Sequence, residues 1–275
     1  MSTLRSILLQ LDAGSTSAAR LEFARSVALR HDAALCAMFV DSRSEEATQW
    51  PSSEVSAALL QQMDRGDIDR TTSVFDDALS EGVLPVHWLS GGVDAVEAFC
   101  RQALYADLLV LGQHDSSTPS SGTVPANFVE SVLMASGKPA LILPLTGSFG
   151  APDRDVLIGW NATPQAGRAV TAALPWLRIA RSVQVLESVG DAAPHHAGDL
   201  DIVQYLHLHG IVSTLHRDHA SPTDAGEVLL SFASAVGANL LVMGCYGHHR
   251  ARELVLGGAS RTVLKAMTLP VLMAH

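Results

Sequence analysis

Cysteine is scarce: only Cys36, Cys100 and Cys245 occur in 275 residues, far apart and without a CxxC pair. They offer neither a disulfide framework nor a zinc cage, and they fit a reducing compartment. Positive charge is also in short supply. Against 28 Asp and Glu stand 18 Lys and Arg, a net charge of -10, so the chain lacks the basic surface that would grip nucleic acid or an anionic membrane. Nowhere does an apolar run reach the roughly eighteen residues of a membrane span. The opening MSTLRSILLQLDAG passes from one arginine into a short strand with no cleavage signature. A cytoplasmic protein with no membrane or nucleic-acid partner is the expectation.

What the chain does have is apolar mass. Hydrophobic residues make up 48% and charged ones 17%, enough for a buried core and too little charge for disorder. The length admits one large fold or two modules of roughly 140 residues. Internal similarity decides for two. SILLQLDAGSTSAARLEFA from position 6 aligns with DVLIGWNATPQAGRAVTAA from position 155, an offset of 149. ADLLVLGQH from 106 aligns with ANLLVMGCY from 238, an offset of 132, and KPALILP falls near LPVLMAH. The aperiodic LTGSFGAPDRD between the copies reads as a linker, giving domains at 1–147 and 153–275.

Each copy alternates short apolar runs with longer amphipathic stretches. Strands are expected near 6–12, 34–40, 84–90, 107–112 and 139–143, then near 155–160, 182–189, 211–216, 239–244 and 270–274. Helices are expected near 17–31, 53–81, 93–105 and 127–136, then near 165–178, 199–209, 223–236 and 259–267. Runs such as LLVLG and LLVMG are apolar on both faces, as parallel strands covered on both sides must be. The fold class is therefore α/β, with two doubly wound five-stranded parallel sheets in tandem. Ligands in such sheets sit beyond the carboxyl ends of the strands, where the winding reverses.

At that place in the second copy stands GCYGHHRARELVLGGASRTVL, residues 244–264. Gly244 and Gly247 bracket a tight turn, and Gly257, Gly258, Ala259 and Ser260 lead into the last helix. Glycines let backbone amides approach an anion, and a helix start adds unpaired donors with partial positive charge. From 244 to 265 four bases, Arg250, Arg252, Arg261 and Lys265, stand against the single acid Glu253, whereas residues 112–133 of the first copy hold Asp115 and Glu130 and no base. The second copy suits a phosphate group and the first does not. His248 and His249, inside the loop, would reach a phosphate best when protonated.

The repeated layout, the Gly244-x2-Gly247-x9-Gly257 spacing and the terminal LPVLMAH strand together resemble the universal stress protein family in its tandem form. That resemblance implies Rossmann-like domains of the adenine nucleotide alpha-hydrolase type and ATP, with or without magnesium, as the ligand of the second copy. It places Gly159, Trp160 and Asn161 at the nucleoside and Ser188 and Val189 beside the adenine. Met243, Gly244, Gly247, His248 and Arg250 would meet the ribose and phosphates, and Gly257, Gly258, Ala259 and Ser260 the terminal phosphates. Two departures stand out: Gly258 replaces the usual Ser or Thr after the third glycine, and Asn161 replaces an Asp. In the first copy Asp12 keeps that acid, but Asp115 and Pro125 occupy glycine positions, so it should hold no nucleoside triphosphate.

The resemblance further implies a regulatory stress-response role with at most slow hydrolysis, an unidentified protein partner, and an internal pseudo-dimer that a second chain can extend to a homodimer. A nucleotide-free interaction module, acting through the ALILP and VLMAH strands, is the alternative. Other leads fail on chemistry. Ser136-Gly137-Lys138 lacks both the first glycine and the Ser or Thr of a P-loop, since Val132 and Pro139 stand there. His195, His196, His207, His209, His216 and His219 have no metal-ligand spacing, so no metal site is expected.

Overall fold

A computed structural model describes residues 4–12, 14–40, 86–90 (as backbone), 95–115, 124–146, 154–188, 200–218, 225–245 and 258–275. Contacts divide the chain into two compact units, 1–140 and 141–275. Residues 147–153 of the linker expected at 145–155, and the helix expected at 53–81, lie outside the described residues.

In the first unit, β1 (Ser6–Leu11) leads through α1 (Ser17–His31) to β2 (Ala34–Phe39), and β3 (Val86–Ser90) follows. Then come α2 (Ala95–Ala103), β4 (Leu108–Gly112) and α3 (Phe128–Ser136), and β5 (Ala140–Leu143) crosses the boundary between the two units. The strands lie in the order β3-β2-β1-β4, all parallel, and β5 starts beside β4, where the Leu109 N–H donates to the Pro139 carbonyl. From Leu108 to Leu111 every side chain is buried, because helices cover both faces of the sheet. On α2 the buried residues Ala95, Ala98, Phe99 and Ala103 fall three or four apart, one helical stripe. Phe99 meets Phe128 of α3 edge to face at 5.4 Å between ring centres, and truncating either ring would cost about 3–5 kcal/mol.

The second unit repeats this plan. β6 (Asp155–Trp160), α4 (Pro164–Leu177), β7 (Ser182–Ser188), α5 (Ile202–Leu208) and β8 (Thr214–Asp218) are followed by α6 (Ala225–Ala235), β9 (Leu240–Gly244), α7 (Gly258–Ala266) and β10 (Val271–Ala274). Its strand order is β10-β9-β6-β7-β8, again parallel throughout. Thr163 caps α4 by accepting the Ala166 N–H, with Pro164 pre-set at the first helical position. Among the described residues no helix is long and apolar enough to cross a membrane.

One element begins later than its sequence suggests. The apolar run at 211–216 predicts a strand from Ile211, but β8 starts at Thr214. Gly210 turns left-handed (φ 76) after α5, its N–H donating to the His207 carbonyl and that of Ile211 to the Leu206 carbonyl. This is a Schellman closure. Ile211 is buried as its hydrophobic staple beside Leu206 and is thereby withdrawn from the strand.

Candidate functional site

In both units the chain winds outward in opposite directions from a central strand pair, β1 with β4 and β6 with β9. The tips of those pairs are the switch points at which open α/β sheets bind ligands. Gly159 of β6 stands in register with Met243 of β9, which brings Trp160 and Asn161 beside Gly244 and Cys245. A β-carbon on Gly159 would come within 2.8 Å of Leu229 Cδ2 on α6. On Gly244 it would come within 2.6 Å of the Gln165 carbonyl carbon, and closer to the Ala166 nitrogen. The chain's own packing therefore requires the glycine at 244, where the first turn of α4 rests directly on the tip of β9, whereas at 159 only the end of the Leu229 side chain would have to move.

Around that contact the polar groups are unevenly satisfied. Thr163 Oγ1 donates to Asn161 Oδ1 at 2.8 Å, and Asn161 is exposed. Between the two, Ala162 holds a left-handed φ of 51, an unusual place for a side chain. Gln165 is 1% exposed, yet among the described residues neither Oε1 nor Nε2 has a hydrogen-bond partner. Such a carboxamide costs on the order of 1–3 kcal/mol when left unpaired. Cys245 is buried, and its thiol is pushed up to about 12 by burial, with Arg168 pulling weakly the other way. Arg168 Nε donates to the His275 carbonyl, and the His275 ring meets the Cys245 carbonyl at 3.2 Å.

The remaining expected site residues are spread over neighbouring elements. Ser188 ends β7, the strand beside β6, and is half-buried. Gly258, Ala259 and Ser260 form the first turn of α7, with Ser260 buried. That turn lies under α6, where a β-carbon on Gly226 would come within 2.9 Å of the Ala259 carbonyl. Arg261 and Lys265 are exposed. Val189, Gly247, His248, Arg250 and Gly257 lie outside the described residues, as do His249, Arg252 and Glu253.

The first unit closes the equivalent tip with side chains. Asp12 Oδ2 accepts from Gln10 Nε2 and from Arg20 Nη2, while Asp12 Oδ1 accepts from the Gly14 N–H and from Ser17 Oγ. Gln10 Oε1 in turn accepts the Gly112 N–H at 2.9 Å, across 102 residues. The Arg20 guanidinium lies over Gly112, where a β-carbon would collide with Nη1. Arg20 and Gln10 are almost wholly buried. Burial alone would raise the Asp12 carboxyl, but the charge of Arg20 and the hydrogen bonds from Ser17, Gly14 and Arg20 outweigh it and hold the carboxyl below its ordinary range. Read across the 149-residue offset, Gln10, Asp12, Ser17 and Arg20 become Gly159, Asn161, Ala166 and Ala169.

Sequence reasoning named Asp12 and Asn161 but missed Gln10, Arg20 and Gln165. The available signal was a glutamine inside a strand apolar on both faces and an arginine on the covered side of α1. Gly137, part of the discarded P-loop lead, is left-handed (φ 62), and the chain after it enters a strand instead of opening a helix. Among the dropped histidines, His216 bonds Gln184 at 2.7 Å, and His209 packs on Tyr205 and contacts Arg178.

Residues 162–275 match the universal stress protein family model, a span that starts at the tip of β6 and runs through β10. This part of the chain is a universal stress protein domain. No curated protein sequence matches the chain. Among solved structures, a universal stress protein from Archaeoglobus fulgidus DSM 4304 aligns with 99% of this chain over 99% of its own, with a TM-score of 0.73 and 17% identity. A protein of unknown function from Pseudomonas aeruginosa PAO1 aligns with 99% of this chain over 92% of its own, with a TM-score of 0.59 and 13% identity. At those identities the likeness is one of fold, and it extends the universal stress protein architecture over the full length.

Proposed function

We propose that the second domain, residues 153–275, binds an adenine nucleotide, ATP in the first instance, at the tips of β6 and β9, and that the first domain, residues 1–147, carries no nucleoside triphosphate. One observation carries this reading. The polar network that fills the first tip is replaced in the second by Gly159, Asn161, Ala166 and Ala169, leaving α4 to end on Gly244 with nothing but main chain. A helix of 14 residues then offers its positive end where the first unit offers a neutralised ion pair. The glycine-rich run 244–258 and its excess of bases support phosphate as the group bound.

Binding with a regulatory, stress-response role is favoured over turnover. Fast phosphoryl transfer needs a base that orients the nucleophile. At these tips Asn161 stands in place of an acid, and Glu187 at the end of β7 is engaged by Arg217. Among the described residues no group of three metal-ligating side chains forms, so magnesium would be carried in on the phosphates. That Cys36, Cys100 and Cys245 form no disulfide supports a cytoplasmic setting.

Calorimetric titration of ATP into the full chain tests this reading. One saturable site per chain is expected, lost in Gly247→Asp, where a carboxylate would face the phosphates. No saturable binding at millimolar nucleotide would overturn it and leave an interaction module acting through protein contacts.

A further inference from the structure

Tyr105 stands 79% exposed in the turn between α2 and β4, with Leu104 beside it at 62%. Met134, in the last turn of α3, is 49% exposed. The Phe99–Phe128 contact sets α2 and α3 level with each other, and both run back against the strands they join. Six residues on from those rings come Tyr105 and Met134, so the three side chains lie at one height, at the base of the first unit where its strands begin. The fold itself does not call for them. The matching helix stop in the second unit uses Gly237 in the left-handed conformation (φ 63), with the Ala238 N–H donating to the Ala233 carbonyl. Aligned through ADLLVLGQH and ANLLVMGCY, Leu104 and Tyr105 become Val236 and Gly237, and with Pro139 set on Pro270, Met134 becomes Lys265. One exposed apolar side chain is ordinary, but three together make a patch on the order of 300 Å², the size at which such surface marks a contact.

We propose that this patch is the centre of an isologous contact between two copies of the chain, first domain against first domain, with Tyr105 at the two-fold axis. The charge around it selects that occupant. The whole chain carries a net charge of -10, so two copies repel each other over most of their surface. At the base of the first unit the signs are balanced: Arg5, Arg30, Arg101 and Lys138 stand with Asp32, Glu97 and Asp107. Arg5 pairs with Asp32, Arg101 lies 3.6 Å from Glu97, and Asp107 accepts the Arg5 and Ser6 N–H groups. A partner of pronounced charge finds no opposing field there, whereas a second copy brings a rim as mixed as the one it meets. Tyrosine and methionine suit the centre of such a contact, since both add apolar area and the phenol keeps a hydrogen-bonding end at the wet rim. A standard interface buries about 800 Å² on each partner, so the polar rim supplies the remainder and the association is weak. This contact needs no nucleotide, and it gives a task to the domain that carries no nucleoside triphosphate.

Sedimentation velocity of the full chain without nucleotide, from about 1 to 100 μM, tests it, because weak contacts of this size titrate in that range. A reversible monomer–dimer equilibrium is expected. The double change Leu104→Ser with Tyr105→Ser is expected to weaken it at least about tenfold, with the melting temperature at dilution unchanged, whereas Ile179→Ser, at an exposed position of the second unit, leaves it as it was. A chain that stays monomeric throughout overturns the proposal. So does a dimer that the double variant leaves intact, or one that Ile179→Ser dissolves equally, since it is held by another face. A ladder of growing species also overturns it, because that is the mark of a head-to-tail contact that does not close. Should the double variant fail to fold, Tyr105→Cys answers in its place. Two such cysteines at the axis must join under mild oxidation into a covalent dimer that wild type does not form, and absence of that link overturns the proposal.

Discussion

The tips of β1–β4 and β6–β9 are built on one plan and closed by opposite means. In the first, a glutamine, an aspartate, a serine and an arginine bond one another and cover Gly112, with Arg20 Nε left without a partner among the described residues. In the second, those positions have lost their polar atoms or their charge, and the start of a helix lies against Gly244. A tandem protein can thus keep two copies of a scaffold while one copy supplies its own occupant. Chain-internal groups pre-empt a site most completely when they meet every hydrogen-bonding need there, since any ligand must then replace bonds already made.

Breaking the internal occupant should produce the largest effect. Arg20→Ala strands a buried carboxylate and is expected to lower stability by about 3–5 kcal/mol in urea denaturation. The paired change Asp12→Leu with Arg20→Met should cost far less, because it removes both charges together. A comparable loss from the paired change would show that the network's shape matters more than its charge.

Transplanting the occupant tests the other half. Asn161→Asp with Ala169→Arg should rebuild an ion pair over the tip of β9 and weaken ATP binding at least about tenfold, ~1.4 kcal/mol, with the melting temperature reporting that the variant still folds. Unchanged affinity would mean that the two tips differ in something other than their occupant.

Acid sharpens the comparison with the smallest effect. Because the folded Asp12 carboxyl lies below its unfolded value of about 3.9, its ionised form stabilises the fold above that pH. This contribution is lost as the pH falls through about 4 toward the folded value. A single group limits the slope to about 1.4 kcal/mol per pH unit, and Asn161 adds none. Denaturation midpoints measured from pH 6 to pH 3 should therefore fall more steeply for wild type than for Asp12→Asn.

The architecture was legible in the sequence because parallel strands covered on both faces are written as unbroken apolar runs. LLVLG and LLVMG mark β4 and β9, and α1 and β6 have the bounds their patterns predict. Ile211 misled for a physical reason: the same apolar side chain that suits a strand also suits the staple of a helix stop. The place we propose for the site, the strand tips, was legible too, from the alternation of strands and helices. Its chemistry was only partly so, because a bond such as Gly112 to Gln10 joins residues 102 apart and leaves no local pattern. Gln165 was hidden for the opposite reason, since the absence of partners can be seen only after every neighbour is placed.

The seat of α4 on Gly244 has one more consequence. Side chains accommodate a change by rotating, but main chain pressed on main chain has no rotamers to exchange. Anything that shifts the tip of β9 must therefore carry α4 along as a rigid lever. That lever also grips the His275 carbonyl through Arg168 and reaches Tyr205 of α5 through Thr171, so a push at one end of the domain is felt along its flank.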